Sequence, residues 1–318
     1  MSDAPAGAPV GGDRPPADGG DRAGLLADGG DRAGLLADGG DRAGLLADGG
    51  DRAGLLADGG DRAGLLADGG DRAGLLAGRR VVVVGGASGI GLATVSAAAE
   101  AGAAVAVLDA DAAGAARAAA QARAAGATAC SRGVDVTVEE EVAGALDAVA
   151  AELGGVDAVL HVAGVMRGQG LDVRDVPVEL WARVIAVNLT GPFLVAKHAA
   201  RHLSARDGVL VLVGSKAGVQ TGSGSVPYGA SKGGLHGLAL TLARQLGPQG
   251  IRVHALCPGD IDTPLMRRSL DEARANGTDG GRIAAVEAAL GRPEDVASVL
   301  VLLASPVSAG LAGTVCTG

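Results

Sequence analysis

From residue 81 onward the apolar positions fall into short unbroken runs, and between the runs apolar and polar residues recur at helical spacing. The first run, 81–84, is followed by a helical pattern over 91–101. Further runs at 104–108, 127–134, 158–162, 209–213, 252–256 and 314–316 predict six more strands, with helices near 138–152, 179–203, 228–246 and 293–303. A strand that is apolar at every position is buried on both faces, which happens where helices cover a parallel sheet on both sides. The pattern therefore predicts an α/β fold, a doubly wound parallel sheet forming a single domain over residues 79–318.

Residues 1–78 follow a different rule. The unit Asp-Arg-Ala-Gly-Leu-Leu-Ala-Asp-Gly-Gly occurs five times unchanged over 21–70, and 71–77 begin a sixth copy. Ten residues are not a whole number of helical turns, and the paired glycines break a helix in every unit, so the leucines cannot line one stripe. The unit has no β-branched or aromatic residue to favour strands. Its Asp-Gly-Gly-Asp also departs from the Gly-Gly-x-Gly-x-Asp calcium repeat. This repeat leader is expected to be disordered, and dispensable as far as residue 77.

Charge and composition narrow the function. The leader holds 14 acidic and 7 basic side chains, so it carries −7 of the net charge of −9 and leaves the remainder nearly neutral. With no basic run and only Trp181, Phe193 and Tyr228 as aromatics, the domain lacks what nucleic-acid binding needs. Residues 81–99 are uncharged for the length of a membrane span, but Gly85-Gly86-Ala87-Ser88-Gly89-Ile90-Gly91 in their middle is a turn sequence, so no membrane span is expected. Cys130, Cys257 and Cys316 are too scattered for a disulfide framework or a metal site, and no secretory signal is readable at the start; a cytoplasmic setting is expected.

The glycine cluster follows a strand and opens a helix, where Gly85, Gly89 and Gly91 let the backbone approach a pyrophosphate met by helix N–H groups. Asp109 lies 18 residues beyond Gly91, where a carboxylate accepts hydrogen bonds from a ribose diol and repels a 2′-phosphate. No Arg or Lys follows at 110–116, so NAD is expected over NADP. A second constellation is Ser215, Tyr228 thirteen residues on, and Lys232 four further. Positions i and i+4 share a helix face, so the ammonium of Lys232 is expected beside the phenol of Tyr228, where it and the positive charge of an oxidised nicotinamide would lower the phenol pKa from about 10 toward about 7.

Together these residues resemble the short-chain dehydrogenase/reductase family over residues 81–318. The glycine segment, with Ser88 and Ile90, resembles the cofactor loop, and Asp135-Val136 the adenine-contacting pair. Ala163 and Gly164 match the family's segment after the fourth strand. Asn188 resembles the catalytic Asn; Ser215, Tyr228 and Lys232 match the catalytic triplet. Pro258-Gly259 with Ile261 and Thr263 resembles the loop over the nicotinamide. The resemblance implies a Rossmann fold, NAD as cofactor, a small-molecule substrate and a homotetramer, with a dimer second. It implies hydride transfer between a secondary alcohol or ketone and the nicotinamide. Tyr228 would be the general acid/base, Ser215 would hold the reacting oxygen, Lys232 would bind the ribose, and Asn188 would position a relay water. Two alternatives are an NADP-dependent 3-oxoacyl-type ketoreductase and a non-catalytic NAD(H) sensor.

The chain departs from the family pattern at three places. Val84 stands where Thr is usual, His161-Val162 replaces a pair of Asn, with His161 expected to restore one hydrogen bond, and Val315-Cys316-Thr317-Gly318 replaces Val-Asp-Gly-Gly. The substrate pocket is expected at Gln220, Thr221, Gly222 and Ser223, beneath a lid over 264–284. Arg267, Arg268, Arg274 and Arg282 of the lid, and Lys216 beside Ser215, are the cations available for an anionic substrate.

Overall fold

The computed structural model describes residues 74–205, 207–311 and 313–317. The expectation of a disordered leader falls on residues outside these. The strands are β1 (Arg80–Val84), β2 (Ala104–Asp109), β3 (Ala129–Gly133), β4 (Ala158–His161), β5 (Gly208–Val213), β6 (Ile251–Cys257) and β7 (Gly313–Cys316). They form one sheet in the order β3-β2-β1-β4-β5-β6-β7, parallel throughout. The strand order reverses between β1 and β4, which opens a crevice at the carboxyl ends of those strands.

The helices are α1 (Gly89–Glu100), α2 (Ala112–Ala124), α3 (Glu139–Leu153), α4 (Val178–Ile185), α5 (Gly191–Ala199), α6 (Val226–Leu246), α7 (Pro264–Ala275), α8 (Gly280–Ala288) and α9 (Pro293–Ala304). Alternation along β1 sends its valines to opposite sides of the sheet. Val82 and Val84 join a core with Leu146, Val195 and Leu235, from α3, α5 and α6; Val81 and Val83 join a second with Val95, Ala119 and Leu300, from α1, α2 and α9. Both faces are therefore buried, as the unbroken apolar runs require.

Several expectations are corrected. The helix expected over 179–203 runs from Val178 to Ala199, with a π-helical turn, Ala186–Thr190, between α4 and α5. Helix α2 is nearly all Ala, so no apolar period marks it, and the lid contains two helices, α7 and α8, that hold a small cluster of their own around Leu270, Ala273 and Ile283. Leu76, in the last partial repeat, is fully buried against the α1–β2 side, and its N–H donates to Ala101 O at 2.9 Å. Deleting as far as residue 77 would thus remove a buried side chain from the core, together with Leu75, which packs there as well.

Candidate active site

A cavity of about 730 Å³ occupies the crevice. Its floor is the β1–α1 turn. Gly85 has φ +88° and sits so close to β4 that a Cβ there would lie 2.5 Å from Ala163 N; at Gly91 a Cβ would lie 1.8 Å from Gly85 O. The bare backbone leaves this space open. The first-turn N–H groups of α1 have no partner within the helix, and Ser88 makes no side-chain cap. Gly89, Ile90 and Gly91 all line the cavity, so these donors border space that suits a diphosphate. Asp109 ends β2 beside them. Its Oδ2 accepts from Ala87 N at 2.9 Å and its Oδ1 from Asp111 N at 2.9 Å, which fixes the carboxylate at the rim.

Of the residues expected to contact the cofactor, Gly85, Ser88, Gly89, Ile90, Gly91, Asp109, Asp135, Val136, Ala163, Gly164, Pro258, Gly259, Ile261 and Thr263 all line this cavity, as do Ser215, Tyr228 and Lys232. Asp135 is held below the usual carboxylate range by the hydroxyl and N–H of Thr137. The donor-lined turn, the rim carboxylate and the cavity between them fit a dinucleotide.

Ser215 follows β5, while Tyr228 and Lys232 lie on α6. The helix is started by Ser225, whose Oγ accepts from Tyr228 N at 3.3 Å and donates to Arg167 O at 2.5 Å. Tyr228 lies near enough to Ser215 for that hydroxyl to favour the phenolate. Lys232 is buried, donates to Val213 O at 2.8 Å and has its ammonium 5.7 Å from the Tyr228 ring centre. The chain's own groups do not lower the Tyr228 pKa toward 7: burial pushes the phenol up to about 12, against the lowering from Ser215, and burial also brings Lys232 down to about 8. Desolvation disfavours both charged forms and outweighs an ammonium already engaged with a carbonyl.

Asn188 stands apart from the other expected residues. It lies in the π-helical segment and is fully buried. Its Oδ1 accepts from Val165 N at 2.8 Å, and its Nδ2 donates to Val165 O at 2.8 Å and Ser231 Oγ at 3.1 Å. The side chain thus ties the segment after β4, where Val165 lines the cavity, to α6. His161 is corrected too: it is fully buried at the end of β4, neither ring nitrogen has a hydrogen-bond partner, and burial brings its pKa down to about 3.

Against this geometry, a family model described as enoyl-(acyl carrier protein) reductase matches residues 85–317. The chain belongs to the short-chain dehydrogenase/reductase family. A family relative, cis-4-hydroxycyclohexanecarboxylate dehydrogenase of Sinomonas cyclohexanicum, is 39% identical over 75% of this chain and 94% of its own. Another, 3-oxoacyl-(acyl-carrier-protein) reductase of Vibrio cholerae, is 32% identical over 57% and 72%. Among solved short-chain dehydrogenases, one from Mycobacterium paratuberculosis bound to NAD superposes with a TM-score of 0.70 at 25% identity, covering 77% of this chain and 97% of that one. Another from Burkholderia cenocepacia in complex with NADP gives 0.67 at 30%, covering 76% and 96%. As a family member the protein is an oxidoreductase that uses a nicotinamide cofactor and a small-molecule substrate.

Thr221, Gly222 and Ser223 line the cavity as expected, and Gln220 is not among its lining residues. The opposite wall, Met166, Gln169, Leu265, Met266, Leu270 and Val286, was not visible in the sequence because its members are scattered over three elements. Of the lid arginines, Arg267 pairs with Asp262, and Arg274 with Asp271 and Glu287. Arg268 alone of the four lines the cavity, and it makes no ion pair among the described residues. Lys216 also lines it.

Proposed function

We propose that the protein is an NAD(H)-dependent dehydrogenase of secondary alcohols, in which Tyr228 is the general acid/base. The observation that carries this reading is the convergence of Ser215, Tyr228 and Lys232 on one cavity, with the Asp109 carboxylate at its far rim. Bound NAD would accept the hydride.

The chain's own groups handle the proton. Ser215, beside Tyr228, holds the substrate oxygen next to the phenol, and Tyr228 Oη takes its proton or returns one to a carbonyl. With its pKa raised to about 12, Tyr228 is a protonated phenol at neutral pH, ready as the acid for ketone reduction. In the oxidation direction the ammonium of Lys232 stabilises the phenolate. Asn188 acts through the backbone of Val165, whose position it fixes at the cavity floor.

Apolar Met166, Leu265, Met266, Leu270 and Val286 suit a cyclic or aliphatic carbon frame, and Arg268 and Lys216 suit a carboxylate at its end. The 39% identity to a hydroxycyclohexanecarboxylate dehydrogenase supports this substrate class. The decisive test is turnover: protein, NAD or NADP, and a panel of cyclic hydroxy acids, plain cyclic alcohols and 3-oxoacyl thioesters, followed by nicotinamide absorbance. Reduction of NAD with a hydroxy acid supports the reading. A preference for 3-oxoacyl thioesters with NADPH favours the second reading, to which the 32% identity to a 3-oxoacyl reductase lends weight. Cofactor binding without turnover of any panel member points to the sensor.

A further inference from the structure

We propose that Cys257 and Cys316 form a reversible disulfide when a peroxide reaches the C-terminal strand, and that this bond loosens the hold on Ser215. The two cysteines are register partners at the end of the β6–β7 ladder. Partners in a parallel pair point to the same face of the sheet about 4.8 Å apart, within the Cα separation of about 4.4–6.8 Å that a disulfide spans. The face they share is the one covered by α6, since Thr314, two residues before Cys316, bonds His236 of that helix at 3.1 Å.

Their exposures divide the labour. Cys316 is exposed and Cys257 buried, so the oxidant meets Cys316 first, while burial pushes the Cys257 thiol up to about 11 and keeps it protonated. The Cys316 thiolate attacks a peroxide oxygen and the O–O bond breaks, giving a sulfenic acid and releasing the second oxygen as water or an alcohol. Cys257 sulfur then displaces the sulfenic oxygen. An S–S bond forms, the S–O bond breaks, and the hydroxyl leaves as water with the Cys257 thiol hydrogen. The two thiols lose two electrons, and the peroxide gains them. A dithiol reductant reverses the step.

The coupling to the site is direct. Cys257 Sγ packs so tightly on Gly214 that a Cβ there would lie 2.9 Å from it, and Ser215 follows Gly214 directly. Bonding toward β7 draws the sulfur away from Gly214. The next residues of the chain, Pro258 and Gly259, line the cavity.

The test treats the full-length protein with hydrogen peroxide, alkylates remaining thiols after unfolding and maps the peptides by mass. The expected product is a Cys257–Cys316 linked peptide lacking both thiol hydrogens, with Cys130 still alkylated. This readout is independent of the proposed activity. Turnover with whichever substrate the panel yields should fall about tenfold and return with dithiothreitol, as expected when a positioned hydrogen-bonding group is disturbed. Cys316→Ser should start with unchanged turnover and resist peroxide. Cys316 found as a sulfinic acid, with Cys257 alkylated, overturns the disulfide. A linked enzyme with undiminished turnover overturns the coupling to Ser215, as does a Cys316→Ser enzyme that loses activity as fast as the parent.

Discussion

The carboxylate of Asp109 is tied to the glycine turn by the N–H of Ala87, 2.9 Å from its Oδ2, so the acidic rim and the diphosphate floor of the cavity are one rigid unit. Replacing Asp109 therefore removes a ribose acceptor and a brace on the turn together. The parent should bind NAD at least about tenfold more tightly than NADP, about 1.4 kcal/mol. Asp109→Ala should erase the preference and weaken both cofactors. Titrations giving equal affinities for the parent enzyme would refute the assignment.

Tyr228→Phe should keep cofactor binding and cut turnover by about two to four orders of magnitude, the usual range for losing a positioned acid/base. Lys232→Met should reduce both turnover and cofactor affinity. A Tyr228→Phe enzyme retaining more than about a tenth of the parent rate would remove the phenol from the proton path.

His161 provides a pH test. Its imidazole is neutral in the fold down to about pH 3, whereas an unfolded histidine takes up a proton below about 6.5. The unfolded state therefore binds more protons between these values, and stability falls with falling pH by up to about 1.4 kcal/mol per unit on this account. His254, brought down to about 4 by burial, adds a loss of the same sign over a narrower window. Urea midpoints of His161→Asn should decline less steeply than those of the parent between pH 6.5 and 4.5. Parallel declines would show that His161 does not govern acid sensitivity.

Deleting residues 1–73 should leave the thermal midpoint unchanged, whereas Leu76→Ala should cost about 2–3 kcal/mol because a sealed leucine leaves a cavity. A deletion through residue 77 should do at least as much damage. If its midpoint matches that of the shorter deletion, the Leu76 contact contributes nothing to stability.

Apolar side chains exposed on the outer faces of α4, α5 and α6, among them Val178, Trp181, Phe193 and Leu240, should be covered by a second copy of the chain. Light scattering should give a tetramer, or failing that a dimer. Trp181→Glu combined with Phe193→Glu should lower the mass without unfolding the protein. A monomeric parent at micromolar concentration would contradict this assembly.

Much of this was legible because the signals are local. The apolar runs of β1, β2 and β5 mark strands buried on both faces, which leaves little freedom to be polar, whereas β3 and β7 carry polar residues and are only partly buried. The glycines, Asp109 and the Ser215, Tyr228 and Lys232 set are close in sequence to the strand ends or helix face that aim them. What sequence spacing could not supply was dielectric. The lowering expected for Tyr228 follows from charge proximity alone, but the fold buries both partners and reverses its direction. Nor could it show where a side chain spends its hydrogen bonds, which is why Asn188 turned out to be committed to Val165 and His161 to nothing. The near-uniform alanine of α2 has no apolar period to read, and Leu76 looked like every other leucine of the repeat.

That last identity has an evolutionary side. Each unit of the leader carries Gly-Leu-Leu-Ala, and only the final one runs directly into Gly78 and Arg79. Gain or loss of whole ten-residue units by slippage during replication leaves the same tetrapeptide at that junction, with Leu76 or its equivalent entering the same socket. A change in the number of copies would therefore leave unaltered the residues that meet the folded body at Leu76.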